Sequence, residues 1–181
     1  DITERKRLED TLRANESQLR LITDNMQDIV SYSDANDKIH YVNPVASKLM
    51  GFDSPAIIGK SREEFIPIDD WRHMSAIRDV AINLRQSYFT VQGKIRHASG
   101  HCLNVETVGA LLYDDENRYK GGVYITRDIT ERKRLEEALR ANEQRLRLIT
   151  DNMADLVTLT DGNRRSTFVS PSFTTLLGYD L

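Results

Sequence analysis

Four histidines and a single cysteine are the side chains of this sequence best suited to hold a metal or carry a reaction. His97, His101 and Cys102 bracket one short turn, a spacing that invites a metal reading. Side chains alternate along a two-stranded ribbon, and no carboxylate stands beside these three, so they read as exposed turn residues. Cys102 shares its alternating face with Asn104 and Glu106, which argues against a buried redox role. A lone cysteine permits no internal disulfide and fits a reducing, cytoplasmic compartment. None of His40, His73, His97 or His101 is followed by Glu, the arrangement of a phosphoacceptor histidine. P-loop, nucleophile-elbow and HExxH patterns are absent. Asp69-Asp70 and Asp114-Asp115 fall at a helix start and in a turn, where capping and solvation account for them. The chain does not read as an enzyme.

The elements that must position these residues follow from a repeat. Asp1 to Glu9 recurs unchanged as Asp128 to Glu136, and Leu19 to Met26 recurs as Leu146 to Met153, always 127 positions later. The register persists at Pro44 and Pro171, Leu49 and Leu176, and Gly51 and Gly178. One repeat is a connector helix plus a domain of about a hundred residues, an ordinary domain size. The second copy stops at Leu181, so residues after about 154 lack a complete core of their own. The chain opens on Asp1 without Met, which suggests a piece of a longer protein.

Within the connector, Leu8, Leu12, Asn15, Leu19, Ile22 and Met26 are spaced 4, 3, 4, 3 and 4 apart. Leu135, Leu139, Asn142, Leu146, Ile149 and Met153 repeat that rhythm. It predicts a two-stranded coiled coil and hence a homodimer, against the alternative of one amphipathic helix packed on its own domain. Thr3 and Thr130 are expected as N-caps. The formal net charge of −3 gives no basic field for nucleic acid, and no apolar run is long enough to span a membrane. Arg5-Lys6-Arg7 and Arg132-Lys133-Arg134 sit beside acids, as on a solvated helix face.

Between the connectors the period changes. Ile29 to Ser33 and Lys38 to Asn43 predict two strands around an Asp34-Ala35-Asn36-Asp37 turn. Pro44 opens a short helix that Gly51 ends. Residues 69 to 84 predict a longer helix with Met74, Ile77, Ala81 and Leu84 on one face. Tyr88 to His97, His101 to Tyr113 and Lys120 to Arg127 predict three further strands, with Phe89, Val91 and Ile95 on one face. The order is that of an α+β fold, an antiparallel sheet with helices on one face and long amphipathic connectors outside it.

The stretch from about Asp24 to Thr130 resembles the PAS family. The residues that carry the likeness are Tyr41-Val42-Asn43-Pro44, Leu49-Met50-Gly51-Phe52, Ile57-Ile58-Gly59-Lys60, the hairpin from Gly93 to Gly100, and the exit motif Arg127-Asp128-Ile129-Thr130-Glu131-Arg132-Lys133. The resemblance implies a five-stranded sheet cradling a small cavity, in a sensor of a multidomain signalling protein such as a histidine kinase. It divides the chain into a connector at 1–23, the PAS domain at 24–130, a connector at 131–150 and the start of a second PAS domain at 151–181. Signal transmission falls to Asp128, Ile129 and Thr130, and Asp1, Ile2 and Thr3 match the exit of a preceding domain. The expected partners are a second copy of the chain and a downstream output domain. For the pocket, the resemblance points to His73, Trp71, Ile77, Tyr41 and Asn43. His73 lies on the helix where haem-binding members keep their iron ligand, about 40° from Ile77 around the helix. Arg62 stands where flavin photosensors carry a reactive cysteine, which excludes a photoadduct and leaves non-covalent flavin open. The expectation is no cofactor, with haem or flavin as the alternatives.

Overall fold

The computed structural model describes residues 2–152 and 157–170. The chain divides into two compact units, Asp1–Thr130 and Glu131–Leu181. Asp1, Met153, Pro171, Leu176 and Gly178, all used in the sequence reading, lie outside the described residues.

The first unit opens with helix α1 (Ile2–Asp24), then β1 (Ile29–Asp34) and β2 (Ile39–Val42). Short helices α2 (Val45–Met50) and α3 (Ser54–Ile57), a 3₁₀ turn (Arg62–Phe65) and helix α4 (Ile68–Asn83) follow. Strands β3 (Tyr88–Arg96), β4 (Cys102–Tyr113) and β5 (Tyr119–Asp128) complete it. The five strands form one antiparallel sheet in the order β2-β1-β5-β4-β3. This is the α+β architecture that the order of apolar periods predicts.

Alternation along the strands sends one set of side chains under the helices. Phe89, Val91 and Ile95 from β3, Val105 and Leu111 from β4, and Tyr124 from β5 are buried there with Ala46, Ile57, Phe65 and Met74. Gly109 lies opposite Phe89, and a Cβ on it would stand 2.4 Å from the Phe89 ring. That missing side chain lets Phe89 lie flat enough to meet Tyr124 edge-on, with centroids 6.3 Å apart. Leu84, expected on the buried face of α4, is exposed. The helix stops one residue before it, and Arg85 turns the chain with φ of 55°. Gly51 closes α2 in the left-handed conformation expected of a helix-ending glycine, with φ of 73°.

Helix α5 (Thr130–Asn152) opens on the last residue of the first unit and continues into the second, as α1 opens one residue ahead of Thr3. A hairpin of β6 (Thr158–Thr160) and β7 (Ser166–Val169) follows. It repeats the β1–β2 hairpin bond for bond. Asp34 Oδ1 accepts the N–H groups of Asn36 and Lys38, and Asp161 Oδ1 accepts those of Asn163 and Arg165. Asp37 and Arg164 take the matching left-handed corner, with φ of 63° and 61°. Such an aspartate-anchored turn stores its instructions locally, so it forms in both units from similar sequence. Ser170 stands where the first unit has Asn43, and its hydroxyl likewise accepts a strand N–H, that of Val157, at 3.0 Å.

Candidate functional site

Between the sheet and the helices lies a cavity of about 60 Å³. Its walls are mostly aliphatic, from Ile29, Ile39, Val42, Met50, Ile57 and Met74 among others. Ser31, Thr107, Thr126 and Tyr124 supply hydroxyl-bearing side chains, and Arg62 supplies a charge. Ligand pockets for drug-sized molecules run to roughly 300–1,000 Å³, so this space does not fit a haem or an isoalloxazine ring.

Arg62 is fixed before its side chain turns inward. Its 3₁₀ turn is held by a capping box, with Ser61 Oγ accepting from Glu63 N–H and Glu64 Oε1 accepting from Ser61 N–H at 3.2 Å. The Arg62 side chain is 11% exposed, and its guanidinium carbon stands 3.5 Å from the Tyr124 ring centroid. Asp37 is shared between two guanidiniums. Arg78 takes the close contact, while Arg62 Nη1 donates to Asp37 Oδ1 at 3.5 Å. The pKa shifts divide accordingly. Burial pushes Arg62 below its ordinary value, against the pull of Tyr124 and Asp37. Burial is the largest single influence on Arg78 and opposes its charge, but the hydrogen bonds and negative charges of Asp37 and Asp79 together outweigh it and drive that pKa up. Desolvation and a bond to Tyr124 Oη at 3.1 Å raise the Tyr119 phenol.

None of the five residues expected to form the pocket lines this cavity. His73 and Ile77 line an open groove between α4 and β3, with Val80, Gln86, Tyr88 and Phe89. Trp71 stacks near Arg62 and Arg78, 5.9 and 5.6 Å from their guanidinium carbons. Tyr41 and Asn43 hold the end of α1. Tyr41 Oη meets Thr23 Oγ1 at 2.9 Å, and Asn43 Nδ2 donates to the carbonyls of Thr23 and Asp28 at 2.8 and 3.1 Å. Asn43 Oδ1 in turn accepts Val30 N–H at 3.0 Å. A fully buried amide with three partners is a structural pin, and a ligand has no room to reach it.

The exit motif forms a second cluster. Asp128 Oδ1 accepts Thr130 N–H at 2.8 Å and so caps α5. Ile129 is 2% exposed, and its N–H donates to the Asn104 carbonyl at 2.8 Å. Asn104 N–H donates to Thr130 Oγ1 at 2.9 Å. The threonine hydroxyl expected to cap the helix is thus spent on β4, and the aspartate two residues earlier caps instead. Arg127 forks onto Asp28, with Nη2 to Oδ2 at 2.9 Å, and so joins the exit to the segment that follows α1. Among the described residues no group of three His, Cys, Asp or Glu side chains is placed to hold a metal ion, and no helix is long and apolar enough to cross a membrane.

A family model described as the PAS fold matches residues 17–129, and one described as a PAS domain matches residues 144–181. The chain belongs to the PAS family of sensory domains. It is 29% identical over 153 residues to the methyl sulfide methyltransferase-associated sensor of Methanosarcina acetivorans, covering 80% of this chain and 14% of that protein. The PAS domain of a Colwellia psychrerythraea protein superposes with a TM-score of 0.58 at 22% identity, over 64% of this chain and 97% of that one. A sensory box histidine kinase/response regulator from Burkholderia thailandensis gives 0.58 at 23% identity, over 72% and 98%. These structural likenesses establish the fold.

Asp37 carries the electrostatic burden of this site. Replacing it with Asn keeps its shape and its left-handed backbone while removing the counter-charge to two enclosed guanidiniums. Asp37→Asn is expected to lower unfolding stability by about 3 kcal/mol, measured by chemical denaturation. A loss under about 0.5 kcal/mol, the level of an ordinary surface substitution, would show that water already satisfies the pair.

Proposed function

We propose that this domain senses and relays within a longer signalling protein, carrying a change at the cavity along β4 and β5 into α5. The observation that supports the route is the exit cluster on Asn104. Thr107 pairs with Thr126 on the cavity wall, and Val105 pairs with Asp128 two residues further along each strand. At about 3.3 Å per residue, the cavity wall and the helix cap stand only about 7 Å apart along the strand. No Gly- or Ser-rich linker intervenes between Asp128 and Thr130, so a tilt of the strand is passed on to the helix. The chain spans 14% of the length of its Methanosarcina relative, which is itself called a sensor, and this supports a multidomain setting with an output domain beyond α5. By the repeat, Ile2 and Thr3 would close the exit of a preceding domain, with Asp1.

The second partner is another copy of the chain. Leu12 and Ile22 on α1, Met26 just after its end, and Leu135, Leu139, Leu146 and Ile149 on α5 are exposed in the single chain at heptad spacing. A seam of this kind is buried by a matching helix.

Two outcomes test the proposal. Asp128→Ala is expected to cost about 1 kcal/mol, the usual loss of a helix cap, and to abolish signalling by the longer protein while the domain still folds. Unchanged output from a folded Asp128→Ala protein rules out this route. The pairing is checked by light scattering. Leu139→Glu combined with Leu146→Glu is expected to reduce a dimeric mass to that of one chain, and a monomeric parent chain would refute the homodimer.

A further inference from the structure

The structure points to a ligand class for the cavity. We propose that it receives a small planar monoanion, a carboxylate of formate to acetate size, held by the Arg62 guanidinium. This deepens the sensor reading and rests on it for the meaning of occupancy, though not for binding itself.

A guanidinium presents five N–H donors in a rigid fork. Among the hydrogen bonds of the described residues, the Arg62 side chain makes one, at 3.5 Å to Asp37. That carboxylate is engaged more closely by Arg78, whose other arm meets Asp79 at 2.9 Å. Arg62 therefore holds a buried charge on a side chain that lines the cavity, with its flat face already covered by Tyr124. Burying a charge without partners is costly, and an oxyanion taken up in the plane of the fork would relieve that cost.

The other walls fit the same guest. Thr107 Oγ1 and Thr126 Oγ1 lie 2.9 Å apart, both in buried residues lining the cavity. Only one of the two protons is used in that contact, so the pair keeps both a donor and acceptor capacity. Ser31 adds a third hydroxyl on the wall. The aliphatic remainder suits a methyl group and offers nothing to a second charge. A space of about 60 Å³ compares with the roughly 150 Å³ that takes up a benzene, which limits the guest to a molecule well below benzene in size. A dicarboxylate or a sugar does not fit.

The test uses the full 181-residue chain and its thermal unfolding midpoint. Sodium acetate is compared with sodium chloride at equal ionic strength and with acetamide, a neutral molecule of nearly the same shape. Acetate is expected to raise the midpoint by several degrees at a large excess over Kd, with acetamide and chloride leaving it in place. Arg62→Met should abolish the acetate shift. Arg62→Lys should weaken acetate at least tenfold, because an ammonium cannot make the two-pronged contact. Equal shifts from acetate and acetamide would overturn the charge assignment, equal shifts from acetate and chloride would reduce the effect to ionic strength, and no shift with any of them would remove the ligand site. Should Arg62→Met fail to fold, the contrast of acetate with acetamide on the unaltered chain still decides. None of these failures touches the relay through Asp128, which stands or falls on signalling output.

Discussion

The antiparallel pairing of β1 with β5 decides where the first unit receives and releases its helices. Ile29 sits opposite Thr126, so the start of one strand lies beside the end of the other. The chain enters β1 just after α1 and leaves β5 directly into α5. Entry and exit therefore meet at one end of the two central strands, and the ion pair of Arg127 with Asp28 joins them there. Each junction has its own pin on the sheet. Asn43 ties the end of α1 at Thr23 to Asp28 and to Val30 of β1 through three hydrogen bonds, and Asn104 holds Ile129 and Thr130 through its backbone. The proposed relay draws on this arrangement, since packed elements shift between discrete arrangements more readily than they deform.

The charge cluster around Asp37 belongs to the same logic. A purely apolar core would be as stable as one holding Arg62 and Arg78, or more so, since desolvating two guanidiniums is expensive. One carboxylate shared unequally between them leaves Arg78 satisfied and Arg62 underserved. That asymmetry leaves Arg62 the less engaged of the two guanidiniums at the cavity wall. The ring of Trp71 lies near both guanidiniums and that of Tyr124 covers Arg62, with Tyr119 bonded to the Tyr124 hydroxyl.

Much of the fold was legible in the sequence because it is written in local signals. Alternation placed Phe89, Val91 and Ile95 on one face, Gly51 marked a helix end, and the Asp34 turn announced a hairpin that recurs at Asp161. Leu84 misled because helical spacing continues past a helix end that Arg85 terminates by its backbone alone. The pocket was less legible. The motif Tyr41-Val42-Asn43-Pro44 located a strand exit but not which way its side chains turn, and both polar residues face the end of α1. His73 stood out by its chemistry and by its helix, yet its side chain borders an outer groove. Arg62 was visible as the residue standing in place of a reactive cysteine, and that position was itself the signal that it faces the cavity. Its pairing with Asp37, 25 residues away, is a tertiary fact that no periodicity encodes. In the exit motif the position was legible and the roles were not, since Thr130 looks like the cap and Asp128 is.

The central claim is that the exit residues Ile129 and Thr130 are tied to Asn104 of β4 and to Asp128 as firmly as the strand they follow. Amide hydrogen exchange at Ile129 and Thr130 tests it most directly, since both N–H groups are committed, one to the Asn104 carbonyl and the other to Asp128. The account predicts protection at these two amides close to that of Tyr124 and Thr126 in the middle of the strand, opening only when the sheet opens. Exchange at Ile129 and Thr130 as fast as at a frayed helix end, with the strand still protected, would mean that the helix hangs from the domain by a hinge and that nothing is relayed through the motif.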